Sequence, residues 1–386
     1  DTGPHLEDRV GDLLDAAIIL SRGPTSGLHA VRLDENKVHA ITNRELAEMH
    51  QMPIIGMAIF GAYIYGPLPG SKRPNLAMFD NPTKNRTEIA QFLSKIPKNM
   101  SVAATNNAGS HDLWIVKLNA TGSIVWEKSL GYIGSDKALT VVQTADSGYF
   151  IAGVLDVTAS GGAGNSKAVL HAGGDYWGVK LDASGNSQWT KYYGGNLSEV
   201  PYDVVQTTDG GYIMVGSSDS IDVDISNNNG LDDFWIVKIN ATGALVWEKS
   251  FGGTGIDEAH SIVASNDGNY MIVGETRSDD GNVSLNKGGA DVWLIKIDGS
   301  GNLLWEKTYG GSSFDVGRSI KKTQDGNYVI VGSTRSQDGD VSINRGQNDA
   351  WVLKISETGV KKWQHSIGGS QIDFAYDVIE NTSNDI

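Results

Sequence analysis

Three oxygen-rich segments have side chains that could hold a metal ion. They read SIDVDIS, SDDGNVS and SQDGDVS and begin at Ser220, Ser278 and Ser336. Calcium takes roughly six to eight hard oxygen ligands, which alternating carboxylates and amides can supply in part. The pattern predicts calcium ligands at Asp222, Asp224, Asp280, Asn282, Asp338 and Asp340. The competing interpretation is a set of Asx turns, because these residue types also bond their own backbone and the spacing is not that of an EF-hand.

A recurring lysine offers a second kind of chemistry. One lysine follows three residues after a recurring tryptophan, giving Lys117, Lys180, Lys238, Lys296 and Lys354. A circle of ammonium groups could bind an anionic sugar or a carboxylate. The simpler interpretation is a structural contact between neighbouring repeats, from lysine to a carboxylate or from lysine to the backbone, since buried charges are generally paired. The carboxylates expected to serve as partners also recur once per unit, as Asp136, Glu199, Asp257, Asp315 and Asp373.

Both series follow a repeat that is marked by tryptophan. One series is Trp114, Trp177, Trp235, Trp293 and Trp351, and the other is Trp126, Trp189, Trp247, Trp305 and Trp363. Together they account for all 10 tryptophans in the chain. A fixed period of this kind indicates a solenoid, a propeller or an array. Because the tryptophans keep a constant phase with Val and Ile, they are expected in the core rather than on a sugar-stacking platform.

Each repeat reads as four short antiparallel strands. FWIVKI, starting at Phe234, suits a strand, and Asn240 to Gly243 forms a turn into the strand ALVWEKSF. A Gly-Gly step follows, then a third strand, an Asp-Gly turn and a fourth strand. Four such strands without a helix are typical of a propeller blade. The long loop beginning at Ser278 is placed between blades, on a face where binding surfaces are usually built.

The repeat pattern D-x-W-[IV]-[VI]-K-[LI], then G-x-x-x-W-x-K, G-G and D-G-[GN]-Y-x-[VI]-x-G resembles a known group. It is similar to the secreted tandem β-propeller repeat proteins of bacteria, especially Bacteroidetes, and of some archaea, over residues 101–386. The resemblance implies an extracellular or cell-surface location and no single reaction. The fold prediction is mainly β: a β-propeller of five or six four-stranded blades over 101–386, with an N-terminal α/β extension over 1–100.

The first 100 residues lack tryptophan and carry different signals. HLEDRVGDLLDAAIIL, from His5 to Leu20, has the spacing of an amphipathic helix. Further helices are predicted to begin at Thr42 and Thr87, with apolar strands between them. The runs HAVRL and GAYIYG resemble blade strands, and GAYIYG is a candidate to close the ring. The fifth repeat reaches Ile386, where its fourth strand should begin.

Composition excludes several function classes. The net charge of -15 and the pI of about 4.9 argue against nucleic acid or an anionic membrane as partner. The absence of cysteine excludes a disulfide or thiolate framework. No transmembrane segment is expected, because no run of about 18 apolar residues occurs. A chain beginning at Asp1 is compatible with a removed leader or with trimming.

The sequence favours binding over catalysis. It lacks the sequence motifs of a G-x-S-x-G hydrolase, an H-E-x-x-H metalloprotease and a P-loop protein. We therefore predict a binding or adhesion module at the cell surface for a glycan or a protein. A carbohydrate-active enzyme, hydrolase or lyase, with acidic residues at the propeller mouth is the alternative, and a structural component of a surface assembly is a third. An enzyme should have a deep pocket with unpaired carboxylates. A structural component should have a large apolar patch on residues 1–100 or an unpaired strand near Ile386.

Overall fold

The computed structural model describes residues 18–22, 28–34, 37–41, 111–132, 134–156 and 173–386. The chain divides into two compact units, Asp1–Asn106 and Asn107–Ile386. The sequence analysis placed this division at residue 100.

The described part of the first unit is a three-stranded antiparallel sheet. Its strands are β1 (Ile18–Arg22), β2 (Leu28–Asp34) and β3 (Lys37–Ile41), in that order. Strand β2 contains the predicted HAVRL strand. The helix predicted to extend to Leu20 is wrong at its end, where adjacent Ile18 and Ile19 favour an extended backbone. The helices predicted from Thr42 and Thr87, and GAYIYG, lie outside the described residues.

The described part of the second unit contains strands and no helix. A two-stranded half-sheet comes first, formed by β4 (Leu113–Leu118) and β5 (Ile124–Leu130). Four antiparallel four-stranded sheets follow. Sheet 1 contains β6 (Lys137–Gln143), β7 (Tyr149–Asp156), β8 (Gly174–Leu181) and β9 (Ser187–Tyr193). Sheet 2 contains β10 (Glu199–Gln206), β11 (Tyr212–Ser218), β12 (Asp233–Ile239) and β13 (Leu245–Phe251). Sheet 3 contains β14 (Asp257–Ala264), β15 (Tyr270–Thr276), β16 (Asp291–Ile297) and β17 (Leu303–Tyr309). Sheet 4 contains β18 (Asp315–Lys322), β19 (Tyr328–Thr334), β20 (Asp349–Ile355) and β21 (Lys361–Ile367).

The sheets are out of phase with the predicted repeat. Sheets 2, 3 and 4 each begin after a Gly-Gly step. Each complete sheet therefore joins the last two strands of one predicted unit to the first two strands of the next. In sheet 3, Gly274 pairs with Trp293 across β15 and β16. The long loop beginning at Ser278 therefore connects the second and third strands of one sheet. Its predicted position between blades was wrong, because the hydrogen bonds pair the two strands that flank it.

The sheets pack face to face as blades of a β-propeller. In sheets 2, 3 and 4 the first strand contacts the first strand of the preceding sheet, which places the first strands innermost. Apolar side chains fill each junction: the ring of Trp293 lies 4.5 Å from that of Phe234 in the preceding sheet, and Trp235 lies 4.5 Å from Tyr176. Trp177, Trp235, Trp293 and Trp351 are at most 2% exposed, as expected for core residues. The described strands of the second unit form an open series of one half-sheet and four complete sheets.

A β-bulge interrupts the first strand of every complete sheet. In sheet 3 the register shifts between Ala259 and Ser261, which leaves His260 as the extra residue. Gly274 lies opposite, and a Cβ there would come within 1.8 Å of the Glu258 carbonyl oxygen. The bulge therefore requires glycine at this position on the second strand. The corresponding bulge residues in sheets 1, 2 and 4 are Leu139, Tyr202 and Arg318.

Candidate functional site

The bulge residues are the part of the inner strands where the repeats differ most in chemistry. Tyr202, His260 and Arg318 occupy equivalent positions in successive sheets and yet are chemically unlike. A bulge bends its strand and re-aims a side chain, and bulges are enriched next to active sites. The repeated scaffold thus presents three different polar groups side by side.

His260 lies at the centre of this group. Its ring makes an edge contact with Tyr202 at 4.9 Å, and its Nε2 lies 2.9 Å from Nη1 of Arg318. Because a guanidinium only donates hydrogen bonds, Nε2 must accept, so the imidazole is neutral. Burial, and secondarily the charge of Arg318, lower the pKa of His260 to about 3. The imidazole therefore remains neutral across the physiological range.

Two glutamates adjoin the histidine. Glu258 and Glu275 are direct partners across β14 and β15, and Glu275 is buried. Burial raises the pKa of Glu258, and the nearby carboxylates of Glu275 and Asp232 raise it further. Glu275 accepts a hydrogen bond of 3.1 Å from Arg277. Glu258 Oε2 lies 4.0 Å from Nε2 of His260, beyond hydrogen-bond distance.

We call Tyr202, Glu258, His260, Glu275, Arg277 and Arg318 the inner cluster. It combines an aromatic ring, a neutral imidazole, two carboxyl groups and two guanidinium groups, and burial raises the pKa of one of the carboxyl groups, that of Glu258. Such a set can donate to and accept from a polar ligand and stack on an apolar face. Among the described residues, no group of three or more His, Cys, Asp or Glu side chains has a geometry that could hold a metal ion.

Sequence reasoning missed the inner cluster. Its members lie on different strands and share no motif, and the position of the bulge depends on a register that local patterns do not reveal. One signal was present. Aligning the internal repeats places Tyr202, His260 and Arg318 in a single column, and the side chains in that column are large and chemically unlike.

The predicted lysines lie in the sheets as ion pairs with turn carboxylates. Lys180, Lys238 and Lys296 have Nζ 2.9, 2.8 and 2.8 Å from Asp146, Asp209 and Asp267, respectively, and Lys354 lies 3.2 Å from Asp325. Each of these carboxylates belongs to the turn between the first and second strands of the same sheet.

The contact predicted with the Asp257 series is therefore wrong, because the lysine points to the other end of the strand. Lys296 also pairs with Glu357 of the next sheet at 2.5 Å, and Lys117 lies over the ring of Tyr149 at 5.3 Å. A ligand-binding role for the lysines stays a prediction.

Asp222, Asp280 and Asp338, the first predicted calcium ligand of each oxygen-rich loop, accept hydrogen bonds from the backbone after the Gly-Gly step. Asp222, Asp280 and Asp338 accept N–H bonds of 3.0, 2.7 and 2.7 Å from Asn196, Thr254 and Ser312. These bonds tie each long loop to the start of its own sheet. The geometry is that of structural anchors within the loops.

The second predicted calcium ligand of each loop also accepts a hydrogen bond from the backbone. Asp224, Asn282 and Asp340 accept N–H bonds of 3.4, 3.2 and 3.2 Å from Gly194, Gly252 and Gly310. Asp340 also contacts Lys287 at 2.8 Å and Lys361 at 2.5 Å, so two ammonium groups already neutralise it. Calcium stays a prediction, and it is more favourable at the Asp222 and Asp280 loops than at the Asp340 loop.

Buried carboxylates also meet at the junctions between sheets. Asp233 and Asp257 are fully buried, and each has one oxygen, Oδ1, without a hydrogen-bond partner. A Cβ added to Gly252 would lie 2.3 Å from Asp233 Oδ1 and 2.6 Å from Asp257 Oδ2, so the two groups face one backbone position. Burial raises the pKa of Asp233 to about 6, and Asp257 contributes by repulsion. The pairs recur, and the pKa of Asp291 is raised to about 6 and that of Glu199 to about 7, in both cases chiefly by burial.

Comparisons with known proteins give limited similarity. No family model matches the chain. The regulatory protein FlaEY of Caulobacter vibrioides is 24% identical over 220 residues, which are 51% of this chain and 23% of that protein. The chain thus spans about a quarter of this curated relative. Among the described residues, no helix is long and apolar enough to cross a membrane.

Solved structures give only distant likenesses. The Pan2 WD40 domain of Neurospora crassa is 9% identical with a TM-score of 0.32, and the match covers 62% of this chain and 69% of that chain. BamB of Moraxella catarrhalis is 15% identical with a TM-score of 0.28, and the match covers 67% and 71% of the two chains. The assignment of the β-propeller fold rests on the sheets of the chain itself.

Proposed function

We propose that the protein is an extracellular or cell-surface binding module that recognises a glycan through the inner cluster. The observation that carries this proposal is the contact of three unlike bulge side chains, with His260 between Tyr202 and Arg318. The ring of Tyr202 offers an apolar surface for a sugar face, and the polar groups offer donors and acceptors for hydroxyls. The extracellular location rests on the resemblance of the repeats to secreted propeller proteins.

A glycan array probed with fluorescently labelled protein tests the proposal. We expect the wild type to bind a subset of the glycans and Arg318→Ala to lose at least tenfold in affinity, because the substitution removes a guanidinium from the cluster. Lys322→Ala is a matched control, since Lys322 is an exposed cation near the far end of the same strand. Equal binding by wild type and Arg318→Ala would contradict the site. Binding to no glycan, with capture of peptides instead, would favour a protein ligand.

The alternative of a carbohydrate-active enzyme has one observation in its favour. Glu258, whose pKa is raised by burial, directly neighbours a second carboxylate, Glu275. A carboxyl group with a raised pKa can serve as a general acid, and glycosidases need two carboxylates. The ion pair between Glu275 and Arg277 weakens this interpretation, because the predicted enzyme should have unpaired carboxylates. Hydrolysis of aryl glycosides by the wild type and not by Glu258→Gln would establish it.

A further inference from the structure

The first strand of each complete sheet in the second unit lies at one end of the strand order of that sheet. An edge strand of this kind has backbone N–H groups that no other strand of its sheet can accept. When such a group is buried, another acceptor must satisfy it. Two buried residues with this need are Ile262 of sheet 3 and Ile320 of sheet 4. In both cases the acceptor is a side chain of the preceding sheet.

Asp203 of sheet 2 accepts hydrogen bonds from the edge of sheet 3. Its Oδ2 accepts a bond of 2.9 Å from the hydroxyl of Ser261 and one of 3.0 Å from the N–H of Ile262. Its Oδ1 accepts a bond of 2.8 Å from the N–H of Val204, and the hydroxyl of Thr140 in sheet 1 lies 3.5 Å from the same oxygen. Hydrogen bonds to a carboxylate are stronger than those between neutral groups. Asp203 therefore joins its own strand firmly to the first strand of sheet 3.

Ser261 continues this connection to sheet 4. Its Oγ donates to Asp203, and the same oxygen accepts a hydrogen bond of 3.3 Å from the N–H of Ile320. Ser261 is buried, so its hydroxyl is shielded from competing water. We call these bonds, made by Asp203, Ser261, Ile262 and Ile320, the inner-strand link. The link crosses three successive sheets.

The inner-strand link lies directly beside the bulge residues of the inner cluster. Asp203 follows Tyr202 in the chain, and Ser261 follows His260. The bond between Asp203 and Ser261 therefore fixes the spacing of the two bulges whose rings meet at 4.9 Å.

The second bond of the link acts on the other side of the histidine. Ile320 lies two residues after Arg318, and its N–H donates to the serine that follows His260. This bond fixes the spacing across which Nη1 of Arg318 lies 2.9 Å from Nε2 of His260. Both neighbours of the imidazole are thus held through the link.

The carboxylate occurs where the link needs two acceptor oxygens. The corresponding residues of the other complete sheets carry a hydroxyl group: Thr140, Ser261 and Ser319. A hydroxyl group has one oxygen, whereas a carboxylate has two and can accept several hydrogen bonds at once. Among the four complete sheets, only sheet 2 has a carboxylate at this position, beside the strand that carries His260.

We infer that Asp203 is a positioning residue for the inner cluster. It holds the first strand of sheet 3 so that His260 stays between Tyr202 and Arg318, and Ser261 extends the constraint to sheet 4. Groups that are held in place before binding lose less conformational freedom when a ligand binds. The inference rests on the proposed function for its effect on glycan affinity, and on the hydrogen bonds alone for its effect on His260.

The protonation of His260 tests the inference without a glycan. The imidazole of the wild type should be neutral at about pH 5, because burial and the charge of Arg318 lower its pKa to about 3. NMR should therefore show two unlike imidazole nitrogens, one carrying a proton and one accepting from Arg318. We expect Asp203→Ala to release the strand and admit water, so that the imidazole is protonated at this pH and its nitrogens become alike. The loss of the signal in His260→Asn identifies it.

Asp298→Ala is the matched control. Asp298 lies in the turn between the last two strands of sheet 3 and also accepts several hydrogen bonds, from the N–H groups of Ser300 and Asn302 and from the Asn302 side chain, at 2.8, 2.9 and 2.8 Å. We expect this variant to keep His260 neutral. A protonated His260 in both variants would mean a general loss of packing and would overturn the inference, as would a neutral His260 in Asp203→Ala.

Glycan affinity gives the second measurement, on a glycan that the wild type binds. We expect Asp203→Ala to bind about tenfold more weakly, since it removes buried hydrogen bonds that position the site. Ser261→Ala removes a single hydroxyl group, which makes it the milder variant for folding, and it should weaken binding in the same direction. The double variant should bind no more weakly than Asp203→Ala, because both substitutions break the same link.

The other outcomes separate the inference from the proposed function. Weaker binding by Asp203→Ala with an unchanged His260 would mean that Asp203 contacts the glycan itself, and additive losses in the double variant would mean two independent contacts. Either result would overturn the positioning role. A wild type that binds no glycan would remove the proposed function, and the protonation of His260 would still decide whether Asp203 positions the cluster.

Discussion

Replacing Asp233 by Asn should stabilise the protein, and more so as the pH rises. Asp233 is fully buried and faces Asp257 across Gly252. Its Oδ2 accepts a hydrogen bond of 2.8 Å from the Asn229 N–H, which an asparagine carbonyl can also accept. The other side-chain atom changes from an unpartnered oxygen, Oδ1, to a nitrogen that can donate toward Asp257.

The magnitude follows from the pKa of Asp233. A rise from 3.8 to about 6, caused by burial and then by Asp257, penalises the ionised form in the folded state. At about 1.4 kcal/mol per pKa unit, the penalty is on the order of 3 kcal/mol. The folded state binds more protons than the unfolded state between these values, so stability is complete below the lower pKa and is lost as the pH rises through about 6. Asp233→Asn lacks this loss.

Urea unfolding followed by tryptophan fluorescence would measure the effect. We expect the free energy of unfolding of Asp233→Asn to exceed that of the wild type by about 2 to 3 kcal/mol near pH 8 and by much less near pH 4. Asp279→Asn is the control, because Asp279 is an exposed loop carboxylate. A difference that is the same at both pH values, or a variant less stable than the wild type near pH 8, would refute the reasoning.

Three further substitutions or additions test other parts of the structure. Trp293→Ala empties a buried site between two sheets and should lower the free energy of unfolding by about 3 to 5 kcal/mol. Trp114→Ala changes the equivalent but exposed tryptophan and should lower it by about 1 kcal/mol or less. Equal losses in the two variants would contradict the packing. Lys238→Met should lower the free energy of unfolding, measured in urea, by about 1 to 3 kcal/mol, because it leaves Asp209 and Thr207 without the buried ammonium group. An unchanged free energy of unfolding would contradict a structural role for the ion pair of Lys238 and Asp209. Calcium should raise the melting temperature of the wild type and of Asp340→Asn, and should raise that of Asp280→Asn by less, because the Asp222 loop keeps its predicted ligands. No change on adding calcium or excess EDTA would return all three loops to Asx turns.

The sequence predicted the strands better than their grouping. Local signals predicted the strands: the alternation of residues around Trp293, and the Asx and glycine turns. From these signals we predicted four strands per unit and the burial of the tryptophans, and most of the first-series tryptophans are buried. The sheet boundary did not, because it depends on which strands bond across the long loop. The pairing of Gly274 with Trp293 is a long-range choice that leaves no local signal.

For the candidate functional residues, too, the sequence revealed the repeated residues but not their contacts. The lysine series and the oxygen-rich loops could be recognised in the sequence as repeats. Their hydrogen-bond and ion-pair partners could not, because these depend on the end of the sheet toward which each side chain points. Lys238 pairs with the turn residue Asp209, and the predicted partner series instead faces other carboxylates, as Asp257 faces Asp233. The inner cluster required the bulge at His260, which is a property of strand register.

The offset between sheet and repeat has a consequence for how such a chain changes length over generations. Tandem repeats can recombine unequally, and a crossover between equivalent positions removes or adds one whole period wherever it falls. Here a crossover in the loop after Ser278 would join the first two strands of one sheet to the last two of another. In sheets 2, 3 and 4 those halves carry the same tryptophans, lysines and glycines at the same offsets, so a hybrid sheet keeps the contacts that these residues make. The architecture therefore tolerates changes in copy number, and the variable residues of the inner strands are inherited one sheet at a time.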